Sequence, residues 1–127
     1  MILSEEIKQK IKTEYEDWFN KQYGDKSLEE RRELGAFFTP PELTIKMIEQ
    51  FDSIKNKTIL DPTCGAGNLL AACIIAGADP NKTYGNEIDK NFVIICRNRL
   101  KTLGVPEDNI HQGDAMNPNA LKRENFN

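Results

Sequence analysis

Three acidic residues lie where predicted β-strands end, and their positions suggest the chemistry of the site. Asp61, Glu87 and Asp114 each follow a short run of residues typical of strands. Ligands of an open parallel sheet bind beyond the carboxyl ends of its strands, so we expect these carboxylates around one crevice. An acid at the end of the second strand can accept hydrogen bonds from both ribose hydroxyls. Asp114 can accept one from an exocyclic amine, and the three acids together predict a nucleoside ligand.

The segment after Asp61 predicts a tight turn that opens a helix. Gly65 and Gly67 allow the backbone to come close to a ligand, and the free amides of the next helix can bind an anionic group such as a carboxylate. No Gly-Lys-Ser or Gly-Lys-Thr is present, which excludes a phosphate-gripping nucleotidase loop. Leu70 stands where the dinucleotide fingerprint needs a small residue. A cofactor without phosphates fits best.

The elements that would position these residues alternate between strand and helix. Strands are predicted at 58–61, 83–88 and 109–112, and helices at 69–76 and 90–103, the second capped by Asp89. Strands alternating with helices imply right-handed crossovers and a parallel sheet. We therefore predict an α/β fold with a partial parallel sheet of about three strands, flanked by helices.

The sequence before the first strand predicts three helices. The first is amphipathic over 4–23 with Ser4 as its cap, and the second begins at the capping box of Ser27 and ends at Gly35. Thr39 begins another capping box, for a helix that runs to about residue 51. The apolar face predicted for this third helix consists of Leu43, Met47, Ile48 and Phe51.

Composition predicts one small, cytoplasmic domain with no membrane segment. The chain has 127 residues, a formal net charge of -3 and 39% hydrophobic residues. Three cysteines and one histidine make neither a disulfide framework nor a zinc site, so we interpret Cys64, Cys73 and Cys96 as small core groups. The basic clusters at 31–32 and 97–101 are interpreted as solvated helix faces.

Four segments in this order resemble a known family. They are Leu-Gly-Ala-Phe-Phe-Thr-Pro at 34–40, Ile-Leu-Asp-Pro-Thr-Cys-Gly-Ala-Gly at 59–67, Tyr-Gly-Asn-Glu-Ile-Asp at 84–89 and Gln-Gly-Asp-Ala at 112–115. Together they resemble the N-terminal half of S-adenosylmethionine-dependent DNA adenine-N6 methyltransferases, such as the modification subunits of type I restriction systems. The resemblance implies a Rossmann-like methyltransferase fold over 34–127, preceded by a helical segment at 1–33.

The resemblance also implies which residues bind S-adenosyl-L-methionine. Glu87 would hold the ribose, Ile88 would pack on the adenine ring, Asp114 would accept from the adenine amine, and Thr39 would bind the methionine carboxylate. The full set that it implies is Phe38, Thr39, Pro40, Asp61, Thr63, Gly65, Gly67, Glu87, Ile88 and Asp114. Simpler roles stay open for four residues: Thr39 and Asp89 as helix caps, Cys64 as a small turn residue and Phe37 as core.

One motif of the family is missing. Its members carry an Asn- or Asp-Pro-Pro-aromatic tetrapeptide that receives the flipped adenine, whereas residues 117–120 here read Asn-Pro-Asn-Ala, which we interpret as a turn. We therefore expect a truncated domain that binds the cofactor but does not methylate DNA by itself and contacts DNA only weakly or through a partner. The alternative is a non-catalytic interaction protein that regulates or antagonises DNA modification.

The missing half has a structural consequence, because it leaves the strand at 58–61 with an unpaired edge. We expect that edge to be covered by a second polypeptide carrying the catalytic half, by a second copy of this chain, or by residues 4–23 and the tail at 115–127.

Overall fold

The computed structural model describes residues 1–122. Three helices precede the first strand, and strands and helices then alternate, as predicted. The helices are α1 (Glu5–Tyr23), α2 (Leu28–Phe37), α3 (Pro41–Glu49), α4 (Asn68–Ile75) and α5 (Lys90–Lys101), and the strands are β1 (Ile59–Asp61), β2 (Thr83–Glu87) and β3 (Ile110–Gln112). Short 3-10 turns at Pro80–Lys82 and Glu107–Asn109 lead into β2 and β3.

The three strands form one parallel sheet in the order β1-β2-β3. Asp61 pairs with Gly85, and Glu87 pairs with Gln112, so the carboxyl ends of the strands share one edge of the sheet. These features confirm the predicted α/β fold and are those of a Rossmann-like methyltransferase fold.

The core lies between the sheet and the helices. One cluster joins α1, α3 and α4 through buried side chains that include Ile11, Ile48 and Ala72. A second joins α4, α5 and the sheet through Leu70, Leu100 and Ile110. The three cysteines are buried and none forms a disulfide, which confirms their interpretation as core groups.

Local capping signals were mostly sufficient to place the helices. Ser4 and Asp89 cap α1 and α5, and both hydrogen bonds of the Ser27 capping box are present. The box predicted at Thr39 is wrong, because Pro40 occupies the N-cap position and no side chain bonds there. A residue before proline avoids the helical conformation, so Pro40 is held extended by Pro41 and the helix begins one residue later than predicted. Helix α2 also continues past Gly35 to Phe37.

Two predicted helix faces are wrong in part. Of the four residues predicted for the face of the third helix, Ile48 is buried, whereas Leu43, Met47 and Phe51 are exposed. The face of α3 in the core consists of Thr44, Ile45 and Ile48, and Thr44 can be buried because its hydroxyl donates to the Pro41 carbonyl at 2.8 Å. The basic cluster on α5 is not a solvated face either. The Arg97 side chain donates to the Ile110 carbonyl, and Arg99 is buried against α1, because each finds an acceptor that the local sequence does not reveal.

The outer edge of β1 is expected to be covered, and helix α1 and the tail are two of the candidates. Helix α1 packs on α3 and α4, and β1 has no strand on its outer side within residues 1–122. The last part of the tail, residues 123–127, lies outside the described residues. No helix within residues 1–122 is long and apolar enough to cross a membrane.

Candidate functional site

A cavity of about 480 Å³ opens at the carboxyl edge of the sheet, and we call it the site cavity. Its walls come from the end of α2, the turn after β1, the start of α4, the end of β2 and the first turn of α5. Six of the predicted residues line it, namely Phe38, Thr39, Asp61, Thr63, Gly65 and Glu87, together with Phe37, Met47, Cys64, Ala66, Asn68, Leu69, Asp89 and Phe92.

Glu87 is held in place by two backbone amides. Gly65 N–H donates to its Oε1 at 3.0 Å, and Asp89 N–H donates to its Oε2 at 2.7 Å. The carboxylate at the end of β2 therefore fixes both the glycine turn after β1 and the start of α5. A carboxylate offers about four lone-pair sites, so Glu87 can still accept hydrogen bonds from two neighbouring hydroxyls.

Asp61 shares this cavity and carries an unfavourable charge. Burial raises the pKa of its carboxyl, and the nearby negative charge of Glu87 adds to that effect, whereas the hydrogen bond from Thr63 N–H opposes it. A carboxylate in this environment is stabilised by a positively charged neighbour. Within residues 1–122 no group of acids, cysteines and histidines is arranged to hold a metal ion.

The two glycines of the turn have different surroundings. Gly65 has φ +54, and a Cβ placed on it would meet nothing within 4 Å. Gly67 has φ +88, and its Cβ would lie 3.0 Å from the Cys96 sulfur and 3.4 Å from Leu100. Gly65 therefore leaves space in the site cavity, whereas Gly67 allows α5 to pack closely on the start of α4. No side chain caps α4, which leaves its first amides to donate to a ligand.

The wall at 37–39 differs from prediction. Thr39 is exposed and does not cap α3, so its hydroxyl is not used in a capping hydrogen bond. Phe38 is buried in an aromatic cluster. The interpretation of Phe37 as core is wrong, because it is 68% exposed and stacks on Phe92 at 5.6 Å between ring centroids. Its neighbour Phe38 occupies the interior position instead.

Four predicted site residues lie outside the cavity lining: Pro40, Gly67, Ile88 and Asp114. Ile88 is 63% exposed. Asp114 is also exposed, and its Oδ1 accepts the Met116 N–H in a turn after β3. Asp89 lines the cavity as well as capping α5.

Sequence reasoning missed several residues that shape the site. Asn86 is fully buried, and its side-chain amide donates to the carbonyls of Pro62 and Gly113, which ties the segments after β1 and β3 to β2. Asn68 donates to the Thr39 carbonyl at 3.3 Å across the cavity. These bonds join residues far apart in the chain and leave no local signal. Phe92 could have been found, since it is an aromatic residue in the first turn of the helix predicted at 90–103.

The fold and the cavity together define an α/β domain with a cavity of small-molecule size at the carboxyl edge of its parallel sheet. The chain matches the family described as N-6 DNA Methylase over residues 12–127. It is 34% identical over 104 residues to the type II methyltransferase M.VspI of Vibrio sp. (strain 343), an alignment that covers 80% of this chain and 24% of that protein. The chain belongs to the N-6 DNA methylase family.

Two further relatives extend the comparison. The type II methyltransferase M.CvrRI of Paramecium bursaria Chlorella virus XZ-6E is 30% identical over 96 residues, which is 69% of this chain and 25% of that protein. The ubiquinone biosynthesis O-methyltransferase of Hydrogenovibrio crunogenus is 45% identical over 69 residues, which is 54% of this chain and 27% of that protein. The chain thus spans about a quarter of the length of these relatives. No solved structure matches it.

Proposed function

We propose that this methyltransferase fragment binds S-adenosyl-L-methionine and forms the cofactor-binding part of a DNA adenine-N6 methyltransferase of a restriction-modification system. The observation that carries the proposal is the Glu87 carboxylate, held beside the glycine turn in the site cavity with capacity for two more hydrogen bonds. The relatives add support. Enzymes named for type II and for ubiquinone-biosynthesis methyl transfer each match part of this chain, so what they have in common is better explained by a cofactor than by a substrate.

The residues present fit this cofactor. A cavity of about 480 Å³ lies within the range of small-molecule sites, roughly 300–1,000 Å³. Glu87 would accept from the ribose hydroxyls, Asp61 would balance the ammonium group, and the Thr39 hydroxyl and the α4 amides would donate to the carboxylate. When bound, the cofactor supplies an electrophilic methyl group. Roles for Ile88 and Asp114 at the adenine remain predictions from the resemblance.

Calorimetric titration with S-adenosylmethionine and S-adenosylhomocysteine tests the proposal. We expect saturable 1:1 binding of both, and failure of both to bind at millimolar concentration would overturn it. A second assay with DNA and methyl-labelled cofactor tests the missing motif. We expect no labelled DNA from this chain alone, since nothing in its sequence supplies the acceptor groups that hold a flipped adenine.

Asp61→Asn is expected to change affinity and stability in opposite directions. The substitution removes the charge that balances an ammonium group, so affinity for S-adenosylhomocysteine should fall about tenfold or more. The raised pKa of Asp61 means that the folded state binds this proton more tightly than the unfolded state, so the ionised carboxylate destabilises the folded protein at pH 7. Asparagine carries no charge, and the melting temperature at pH 7 should therefore rise. The destabilisation of the folded state by the Asp61 charge grows as pH rises above the ordinary aspartate pKa of 3.8 and is absent below it.

Calorimetry and thermal unfolding at pH 7 and pH 3 measure both effects. The gain in melting temperature should disappear at the lower pH. Asp108→Asn makes the same change at an exposed position and should alter neither property. A lower melting temperature for Asp61→Asn at pH 7 would show that the charge at position 61 is already balanced by the protein.

We further propose that the outer side of β1 is covered by the remaining part of the methyltransferase fold, carried on another segment or on a separate polypeptide. A groove of about 600 Å³ runs beside this strand and is lined in part by Met47, Phe51 and Leu60. These side chains are 40%, 59% and 41% exposed. β1 is an edge strand of the sheet within residues 1–122, and the unpaired backbone groups of an edge can pair with a further strand. The exposed apolar side chains beside β1 can pack against the segment that carries that strand.

Without such a partner, the chain is expected to self-associate through this surface. Sedimentation velocity should detect dimers or larger species at concentrations on the order of 100 µM, and Phe51→Asp combined with Leu60→Asp should leave a monomer. Ile2→Asp, at a position that is 91% exposed and does not line this groove, is the control. A wild-type chain that stays monomeric throughout would contradict the proposed surface.

A further inference from the structure

The buried guanidinium of Arg99 connects helix α1 to the site cavity. Arg99 is 4% exposed, and its Nε and Nη2 donate to the two carboxylate oxygens of Glu14 at 3.0 and 2.5 Å. It also lies over the Trp18 ring, 4.1 Å from its central carbon to the ring centroid. A two-pronged ion pair combined with a ring contact holds the guanidinium in one orientation.

The third nitrogen of Arg99 donates into the glycine turn. Nη1 contacts the Asn68 side-chain oxygen and the Ala66 carbonyl, the latter at 3.4 Å. The other end of the Asn68 amide donates to the Thr39 carbonyl at 3.3 Å. Asn68 and Thr39 both line the site cavity. A continuous chain of contacts therefore runs from Glu14 on α1 to the wall at 37–39.

We propose that Glu14 and Arg99 are positioning residues of the cofactor site, which act through Asn68 to set the separation of the glycine turn and Thr39. The inference rests on the proposed cofactor binding. Glu14 does not line the site cavity, and its hydrogen bonds with Arg99 connect it to Asn68, which does. Removal of the Glu14 charge leaves a buried, uncompensated guanidinium. Its Nε and Nη2 lose the carboxylate that fixes their orientation, so Nη1 no longer holds the Asn68 side chain in its present place.

Glu14→Gln is expected to weaken S-adenosylhomocysteine binding about tenfold. Glu16→Gln makes the same change at an exposed position of the same helix and should leave the affinity unchanged. Asn68→Ala keeps the Glu14–Arg99 pair but breaks its link to Thr39, and it should weaken binding by itself. The double variant should bind no more weakly than Asn68→Ala, because the two changes interrupt one connection.

Trp18 provides a second readout, since it is the one tryptophan of the chain and does not line the site cavity. Trp18 contacts the cavity wall at Phe38, 5.5 Å between ring centroids, as well as Arg99. Saturation with S-adenosylhomocysteine should therefore change its emission in both proteins, but the change should be smaller in Asn68→Ala, where the link through Arg99 is lost. This comparison decides the question even if Glu14→Gln does not fold.

The outcomes separate the two proposals. A wild-type chain that binds no ligand overturns the proposed function and this inference with it. If the wild type binds and Glu14→Gln lowers only the melting temperature, or if the two changes reduce affinity additively, the proposed function stands and the positioning role is wrong. An equal Trp18 response in the wild type and Asn68→Ala would also contradict it.

Discussion

Glu87→Ala is expected to weaken S-adenosylhomocysteine binding by about two orders of magnitude, since it removes two hydrogen bonds to a charged acceptor. The effect has a direct and an indirect part. The ribose loses its acceptor, and the amides of Gly65 and Asp89 lose the carboxylate that orients them. Glu87→Gln keeps the size and one carbonyl oxygen, so its loss should be intermediate.

Methylthioadenosine separates the role of Glu87 from that of Asp61. This ligand keeps the adenine and the ribose but lacks the amino acid part. Calorimetry should show that Glu87→Ala weakens it by about the same factor as S-adenosylhomocysteine, whereas Asp61→Asn has little effect on it. Glu107→Ala removes an exposed acid outside the cavity and serves as the control. If the wild type and Glu87→Ala bound each ligand with the same affinity, the assignment of Glu87 as the acceptor of the ribose hydroxyls would be wrong.

The parts of this fold that the sequence predicts are those governed by local rules. Capping at Ser4, Ser27 and Asp89 depends on hydrogen bonds within three residues, and the strands that end at Asp61 and Glu87 follow from short runs of residues typical of strands. The parallel arrangement of the strands then follows from their alternation with helices. These rules are sufficient to predict, without the tertiary structure, that the carboxylates of Asp61 and Glu87 lie in one cavity.

The parts that could not be predicted depend on distant partners. Arg99 has the spacing of a buried residue, three positions after Cys96, but its charge suggests solvent until Glu14, 85 residues away, is known to face it. The apolar side chains of Met47 and Phe51 suggest core, yet the interior of α3 is filled by Thr44 and Ile45. For Arg99, Met47 and Phe51, the polarity of the side chain alone predicts the wrong degree of burial. Burial depends on which residues of other elements pack against the side chain.

The two glycines of the turn look equivalent in sequence, and their surroundings predict opposite consequences of substitution. Gly65→Ala should cost about 1–2 kcal/mol of stability, the strain of a left-handed alanine. Its new methyl group would enter open space in the site cavity and should lower the affinity for S-adenosylhomocysteine about tenfold. Gly67→Ala should cost about 2–5 kcal/mol, because the same strain is added to overpacking against Cys96 and Leu100.

Urea unfolding and calorimetry on the folded fraction measure these two effects separately. Gly67→Ala should retain most of its affinity once folded, since its methyl group points toward α5 and not toward the ligand. Gly77→Ala is the matched control for Gly65→Ala, because Gly77 also has a positive φ and open space but does not line the site cavity. It should lose stability without losing affinity. If Gly67→Ala were the variant that abolished binding while keeping its stability, Gly67 would belong to the ligand site and the packing of α5 would not explain its presence.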